Sequence, residues 1–182
     1  MKKSKVKVNQ IKPLINVPIS FEKPEITAKI LKKWQDIINI LADIIQIPSA
    51  LIMKIHESEI EVFLKSDSDG NPYEQNEKVS LNSGLYCETV IGKRDKLLVP
   101  NALASESWKD NPDIELNMIS YLGLPIEWPD NEVFGTICVL DNKENHYSEL
   151  FIKLLYQFKN LIEQDLYLLI EKKHLHETIE SK

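Results

Sequence analysis

Two apolar runs, residues 119–128 and 132–140, are separated only by the turn residues Pro129, Asp130 and Asn131. Proline presets the turn and asparagine tolerates positive φ, so the runs fold back on each other. A hairpin of this kind commits the chain to antiparallel pairing. A second pair of runs points the same way. Ala50 to Ile55 is a short apolar stretch that reads as a central strand. Residues 59–65 alternate, with Ile60, Val62 and Leu64 on one side and Glu59, Glu61, Phe63 and Lys65 on the other. A tight turn near Glu57–Ser58 joins the two, and residues 66–76 form a polar loop. Leu97–Val99 is a brief strand that stops at Pro100.

Helices flank these strands. In residues 25–46, Ile26, Ile30, Trp34, Ile37, Leu41 and Ile44 recur at spacings of three and four and share one face. Leu31, Ile38 and Ile45 add a second apolar line, which implies a second packing partner. Residues 148–176 form a long helix capped by Ser148. Ser83 is expected to cap a short helix reaching about Gly92. Asn111, followed by Pro112, is expected to cap another. Hairpins with helices at both ends imply an α+β layer fold. Residues 1–24, broken by Pro13, Pro18 and Pro24, read as an extended arm.

Bulk properties exclude several classes. At 182 residues the chain suits one domain with a real core. Residues 1–12 carry five lysines and no acid, which leaves −11 for the rest of a chain whose net charge is −6. An acidic body argues against nucleic acid as a partner. Two cysteines do not make a secreted disulfide scaffold, and no apolar run is long enough to span a membrane. No signal peptide is visible, so a cytoplasmic setting is expected.

Five motifs then occur in a fixed order: GLYCETVI at 84–91, LLVPN at 97–101, WKDNP at 108–112, ISYLGLPIEW at 119–128 and FGTICVLD at 134–141. Together they resemble the GAF domain family, in the bacterial signalling form attached to histidine kinases and diguanylate cyclases. The resemblance covers about residues 26–170. It implies a central antiparallel sheet of about five to six strands with helices on both sides. The first and last helices would pack on one face, and a small-molecule pocket would lie on the other. The domain would run over residues 25–170, with 171–182 as the end of a signalling helix.

The candidate ligand-binding residues are Phe63, Cys87, Glu88, Trp108, Asn111, Tyr121, Thr136 and Cys138. Aromatic faces stack on ligands, and Asn or Glu fixes their orientation. The competing reading is that Trp108 plugs a small core and that Asn111 only caps a helix. Cys87 reads as a buried cysteine; a redox pair with Cys138 would need close approach. A related enzyme of the family reduces free methionine sulfoxide with several cysteines, but the loop Asn101–Met118 has none. The chain is therefore expected not to be an enzyme. Asn142-Lys143 matches only the start of a cyclic-nucleotide motif, and the loop where bilin-binding relatives hold their chromophore lacks a cysteine. His56, His146, His174 and His176 do not sit at metal-ligand spacing. The sequence names no cofactor.

The long helix carries two apolar stripes. Phe151, Leu155, Phe158, Ile162, Leu166 and Leu169 would face the domain. Leu154, Leu161, Leu168 and Leu175 recur every seven residues, interrupted by Asp165 and Lys172, and are the expected dimer interface. The function expected is a sensor that binds a small ligand and signals through paired helices. Its output domain, a kinase or diguanylate cyclase, would belong to a longer protein. Two alternatives stay open: a dimerisation or interaction module that binds no ligand, and, behind it, a thiol-based redox sensor or methionine sulfoxide reductase-like enzyme acting through Cys87.

Overall fold

The computed structural model describes Ile15 and residues 23–181. Most of the expected arm, with its five lysines, lies outside the described residues. Helix α1 spans Ala28–Ile45, and Thr27 caps it by accepting the Ile30 N–H. It stops at Gln46, which takes the left-handed conformation two residues before Pro48. Strands β1 (Ser49–Ile55) and β2 (Glu59–Lys65) pair through a turn in which the His56 N–H donates to the Glu59 carbonyl. A short strand β3, Lys78–Ser80, extends this sheet beyond the polar loop.

Helix α2 covers Tyr86–Lys93 and is capped at Leu85 without a side-chain bond. Ser83 thus does not play the expected capping part. Its hydroxyl donates to the Ser80 carbonyl, and Gly84, at φ 94°, turns the chain before the helix begins. Strand β4, Leu97–Val99, precedes two 3-10 turns, Ala102–Ala104 and Pro112–Leu116. Asn111 caps the second of these, as its sequence context requires.

Strands β5 (Ser120–Glu127) and β6 (Val133–Asp141) form the hairpin, and Asn131 takes φ 65° in its turn. Helix α3 runs from Glu149 to Glu180, capped by the Ser148 side chain. It is four residues longer at its C-terminal end than the sequence pattern suggests. The sheet has six strands in the order β3-β2-β1-β6-β5-β4, with every pairing antiparallel. Its edge strands are three residues each, short enough to offer little unpaired backbone.

The sheet divides two apolar cores. On one face Trp34, Ile38 and Leu41 of α1 meet Leu155, Ile162 and Leu166 of α3 over Ile52, Ile137 and Val139. Full burial of each such aliphatic side chain contributes about 1.5–3 kcal/mol. On the other face Leu51, Met53, Cys138 and Leu140 pack beneath α2 and the loops. Ile15 is buried in this second core, and its N–H donates to Asn82 Oδ1 at 3.0 Å.

An irregularity in the β1–β2 ladder falls at Phe63 and puts Leu64, expected beside Ile60 and Val62, on the same face as Phe63. Ile52 pairs with Leu64 and Met53 with Val62, so Phe63 is the extra residue of a bulge. Its ring lies 5.7 Å from Phe134 and 6.4 Å from Trp34, among the residues under the terminal helices.

Candidate functional site: an apolar cavity beside two thiols

The sheet face opposite α1 and α3 carries a cavity of about 270 Å³. Its floor is Leu51, Met53, Ile60, Val62 and Leu140 from three neighbouring strands. Period-two alternation aims these residues to one side while Ile52 and Val139 face the helices. Leu85 and Cys87 from the start of α2 make one wall. Pro112, Asp113 and Leu116 of the second 3-10 turn make another, and Tyr73, Glu77 and Val79 close the side toward β3. Glu77, Glu115 and Leu116 are exposed, so the cavity opens to solvent between them.

Asp113 is the buried charge of this site. Its carboxylate accepts the Tyr73 hydroxyl at 2.8 Å and the backbone N–H of Tyr86. Burial pushes its pKa up to about 6, against the pull of those two hydrogen bonds, and the nearby Glu88 adds to the rise. Among the described residues the lining holds three carboxylates, Glu77, Asp113 and Glu115, and no basic side chain.

Beside the cavity three aromatic rings fill the interior. Tyr86 stacks on Tyr121 at 4.9 Å and lies tilted against Trp108 at 5.4 Å. The Tyr121 hydroxyl donates to the Cys87 sulfur at 3.3 Å. Gly123 makes this geometry available, because a Cβ there would stand 2.1 Å from the Tyr121 oxygen. Cys138 on β6 lies behind Cys87, with the two sulfurs 3.8 Å apart and both thiols free. Burial, and then the neighbouring Cys87, push the Cys138 thiol well above its ordinary pKa; the Thr136 hydroxyl acts against them.

The eight residues singled out from sequence therefore separate. Cys87 lines the cavity, and Cys138 and Thr136 stand just behind it. Tyr121 and Trp108 belong to the aromatic stack rather than to the lining. Glu88 and Asn111 are occupied with backbone. Glu88 accepts the N–H groups of Ser83 and Gly84, at 3.0 and 3.1 Å. Asn111 donates to the Gly84 carbonyl and accepts the Asp113 N–H, both at 2.9 Å. Together they hold the Ser83–Gly84 turn against the second 3-10 turn. Phe63 is a correction: it lies on the far face of the sheet, because strand alternation after cavity-lining Val62 turns it toward Trp34.

Sequence reasoning missed Tyr73 and Asp113. Tyr73 is the one aromatic residue in the polar loop 66–76, and no periodicity accounts for it. That isolation was a usable signal.

A family model described as GAF domain matches residues 35–164. The chain belongs to the GAF domain family. No curated protein matches the sequence of this GAF domain. Solved structures do match its fold. The GAF domain of PixJ from Thermosynechococcus elongatus, in its blue-light absorbing form, aligns with TM-score 0.62 at 15% identity, over 86% of this chain and 96% of that one. The GAF domain of a phosphoenolpyruvate-protein phosphotransferase from Acinetobacter gives 0.59 at 18%, over 80% and 83%. The type II free methionine-R-sulfoxide reductase of Thermoplasma acidophilum gives 0.57 at 14%, over 74% and 90%. At these identities the likeness carries the GAF fold and nothing finer. Among the described residues, no helix is long and apolar enough to cross a membrane.

Proposed function

We propose that this GAF domain is a regulatory sensor that takes a small apolar ligand, neutral or cationic, and reports its presence through α1 and α3. The observation that carries this reading is the cavity itself. It sits on the sheet face opposite the terminal helices, with an apolar floor and only acidic charges in its lining. An anionic ligand would meet Glu77, Asp113 and Glu115 without a compensating cation.

The sheet supplies the route to the helices. Leu51 and Met53 touch the cavity, and Ile52 between them packs under α1 and α3. A ligand that prefers one spacing of these strands biases the packing on the other face. On α3, Leu161, Leu168, Leu175 and Ile179 are 38%, 62%, 63% and 63% exposed, and on α1 Ile40 and Ile44 are exposed too. These faces are read as the contact with a second copy. Leu154 contributes less to it, since it leans on its own core. The stretch 171–182 is read as the connection to an output domain, a kinase or diguanylate cyclase of a longer protein in the cytoplasm. The GAF unit is read as 25–170, with 1–24 as a preceding arm of which Ile15 packs into the second core. Neither catalysis nor nucleic-acid binding enters this reading: the loop Asn101–Met118 holds no cysteine, and the acidic body repels phosphates.

Native mass spectrometry of the purified protein, with a thermal-shift screen of small neutral, cationic and anionic compounds, tests the ligand. A bound neutral or cationic compound that is lost in Val62→Trp supports the proposal. Exclusive binding of anions overturns it. A second reading, a ligand-free dimerisation module, draws on the Tyr86, Trp108 and Tyr121 stack that already fills part of the interior. An empty protein that no compound stabilises would favour that reading.

A further inference from the structure

The geometry points to a second, covalent input: Cys87 and Cys138 form an oxidant-responsive dithiol that closes to a disulfide when a small peroxide enters the cavity. Four features place the chemistry. The sulfurs are in van der Waals contact at 3.8 Å, although 51 positions separate them in the chain. A disulfide needs about 2.05 Å, so the two side chains must rotate and α2 must close the remaining gap to β6. Cys87 lines the cavity, whose mouth lies between exposed Glu77 and Leu116, whereas Cys138 is fully buried behind it. The two thiols therefore differ in access: one meets a diffusing oxidant and the other meets only its neighbour.

The steps follow from that order. The Cys87 sulfur attacks one peroxide oxygen. The O–O bond breaks, Cys87 becomes a sulfenic acid, and the second oxygen leaves as water, or as an alcohol from an alkyl peroxide. The Cys138 sulfur then attacks the Cys87 sulfur. The S–S bond forms, the S–O bond breaks, and the departing hydroxide takes the Cys138 proton as water. Two thiols lose two electrons and two protons, and the peroxide is reduced. A low-molecular-weight thiol reverses the change through two exchange steps. Burial that keeps the Cys138 thiol protonated keeps it from reacting with the oxidant directly, so it acts as the resolving sulfur. The Tyr121 hydroxyl, already directed at the Cys87 sulfur, holds that side chain in place.

This dithiol does not require that the cavity take a ligand. It also differs from a single reactive cysteine, because its product ties a cavity wall on α2 to the central strand β6. The disulfide would set the position of α2 on the sheet.

The test uses the full chain, reduced, desalted and exposed to hydrogen peroxide in modest excess. The protein is then denatured, labelled with a maleimide and weighed intact. The reduced protein should take two labels. The oxidised protein should take none, run as a monomer without reductant and weigh two hydrogens less, and dithiothreitol should restore both labels. A non-reducing digest should show the Cys87 and Cys138 peptides joined. In Cys138→Ser, a sulfenic acid should accumulate at Cys87 and be trapped by dimedone. Two labels persisting after peroxide would overturn the proposal, as would oxygen added to Cys87 with Cys138 still labelled, or a disulfide between chains. Should the serine variant fail to fold, the digest of the unaltered chain decides alone.

Discussion

The Trp34 indole N–H donates to one carboxylate oxygen of Asp165 at 2.9 Å, deep between α1 and α3. Lys33 reaches the other oxygen, also at 2.9 Å. An acid that interrupts the apolar seam of α3 is therefore the point where the two terminal helices are tied. Its value lies in leaving no buried donor unmet, more than in the half-exposed ion pair. Asp165→Ala should cost about 1–3 kcal/mol in urea unfolding, because the Trp34 N–H loses its acceptor. Asp165→Asn, which keeps an acceptor, should cost less. Equal losses for the two would show that charge, not the indole bond, is what matters.

Asp113 makes stability depend on pH in an unusual direction. Its folded pKa of about 6 lies above the ordinary 3.8, so between these values the folded state binds more protons than the unfolded state. Its contribution is fully present below 3.8 and is lost as pH rises through about 6. The difference is on the order of 3 kcal/mol. Asp113→Asn should remove this component, so the variant should gain stability relative to the unaltered chain as pH goes from acid to neutral. Unfolding midpoints measured across that range would show a widening gap; a constant gap would refute the assignment.

Two glycines should reject a methyl group for different reasons. At Gly123 a Cβ would stand 2.1 Å from the Tyr121 hydroxyl and 2.5 Å from its ring carbon. Gly123→Ala should displace that ring from Cys87 and cost about 1–3 kcal/mol. At Gly135 the obstacle is the Met53 carbonyl, 1.8 Å away, and backbone cannot swing aside as a side chain can. Gly135→Ala should force β1 and β6 apart and cost more than Gly123→Ala. Parallel thermal unfolding of both variants checks the order.

The two stripes of α3 should respond oppositely to substitution. Leu155 is fully buried, and Leu155→Ala should cost about 2–5 kcal/mol. Leu161→Asp with Leu168→Asp touches the exposed stripe and should leave the unfolding free energy of a single chain within about 0.5 kcal/mol per site. The same pair should shift the sedimentation coefficient from dimer to monomer. An unaltered oligomeric state would remove the paired-helix part of the proposal.

Much of the fold was legible because it rests on local signals. The hairpin followed from Pro129–Asp130–Asn131, and α3 from the Ser148 cap and its two stripes. The site was legible only in part. Cys87 and Cys138 sit in motifs that the chain displays, but their contact depends on how α2 settles over β6. Glu88 and Asn111 have the composition of ligand contacts, and local backbone claims both. Polar side chains near a turn satisfy the closest N–H groups first, a competition that residue type alone does not reveal.

The sequence by itself determined that strands of period two lie between amphipathic helices and pair antiparallel, since periodicity and turn chemistry act over a few residues. Only the tertiary structure decided which face each strand presents, that a bulge at Phe63 carries Leu64 to the helix side as well, and that Asp113, Tyr73 and two thiols meet beside the cavity. Those outcomes depend on packing between segments far apart in the chain, where a shift of one residue in register exchanges one face of a sheet for the other.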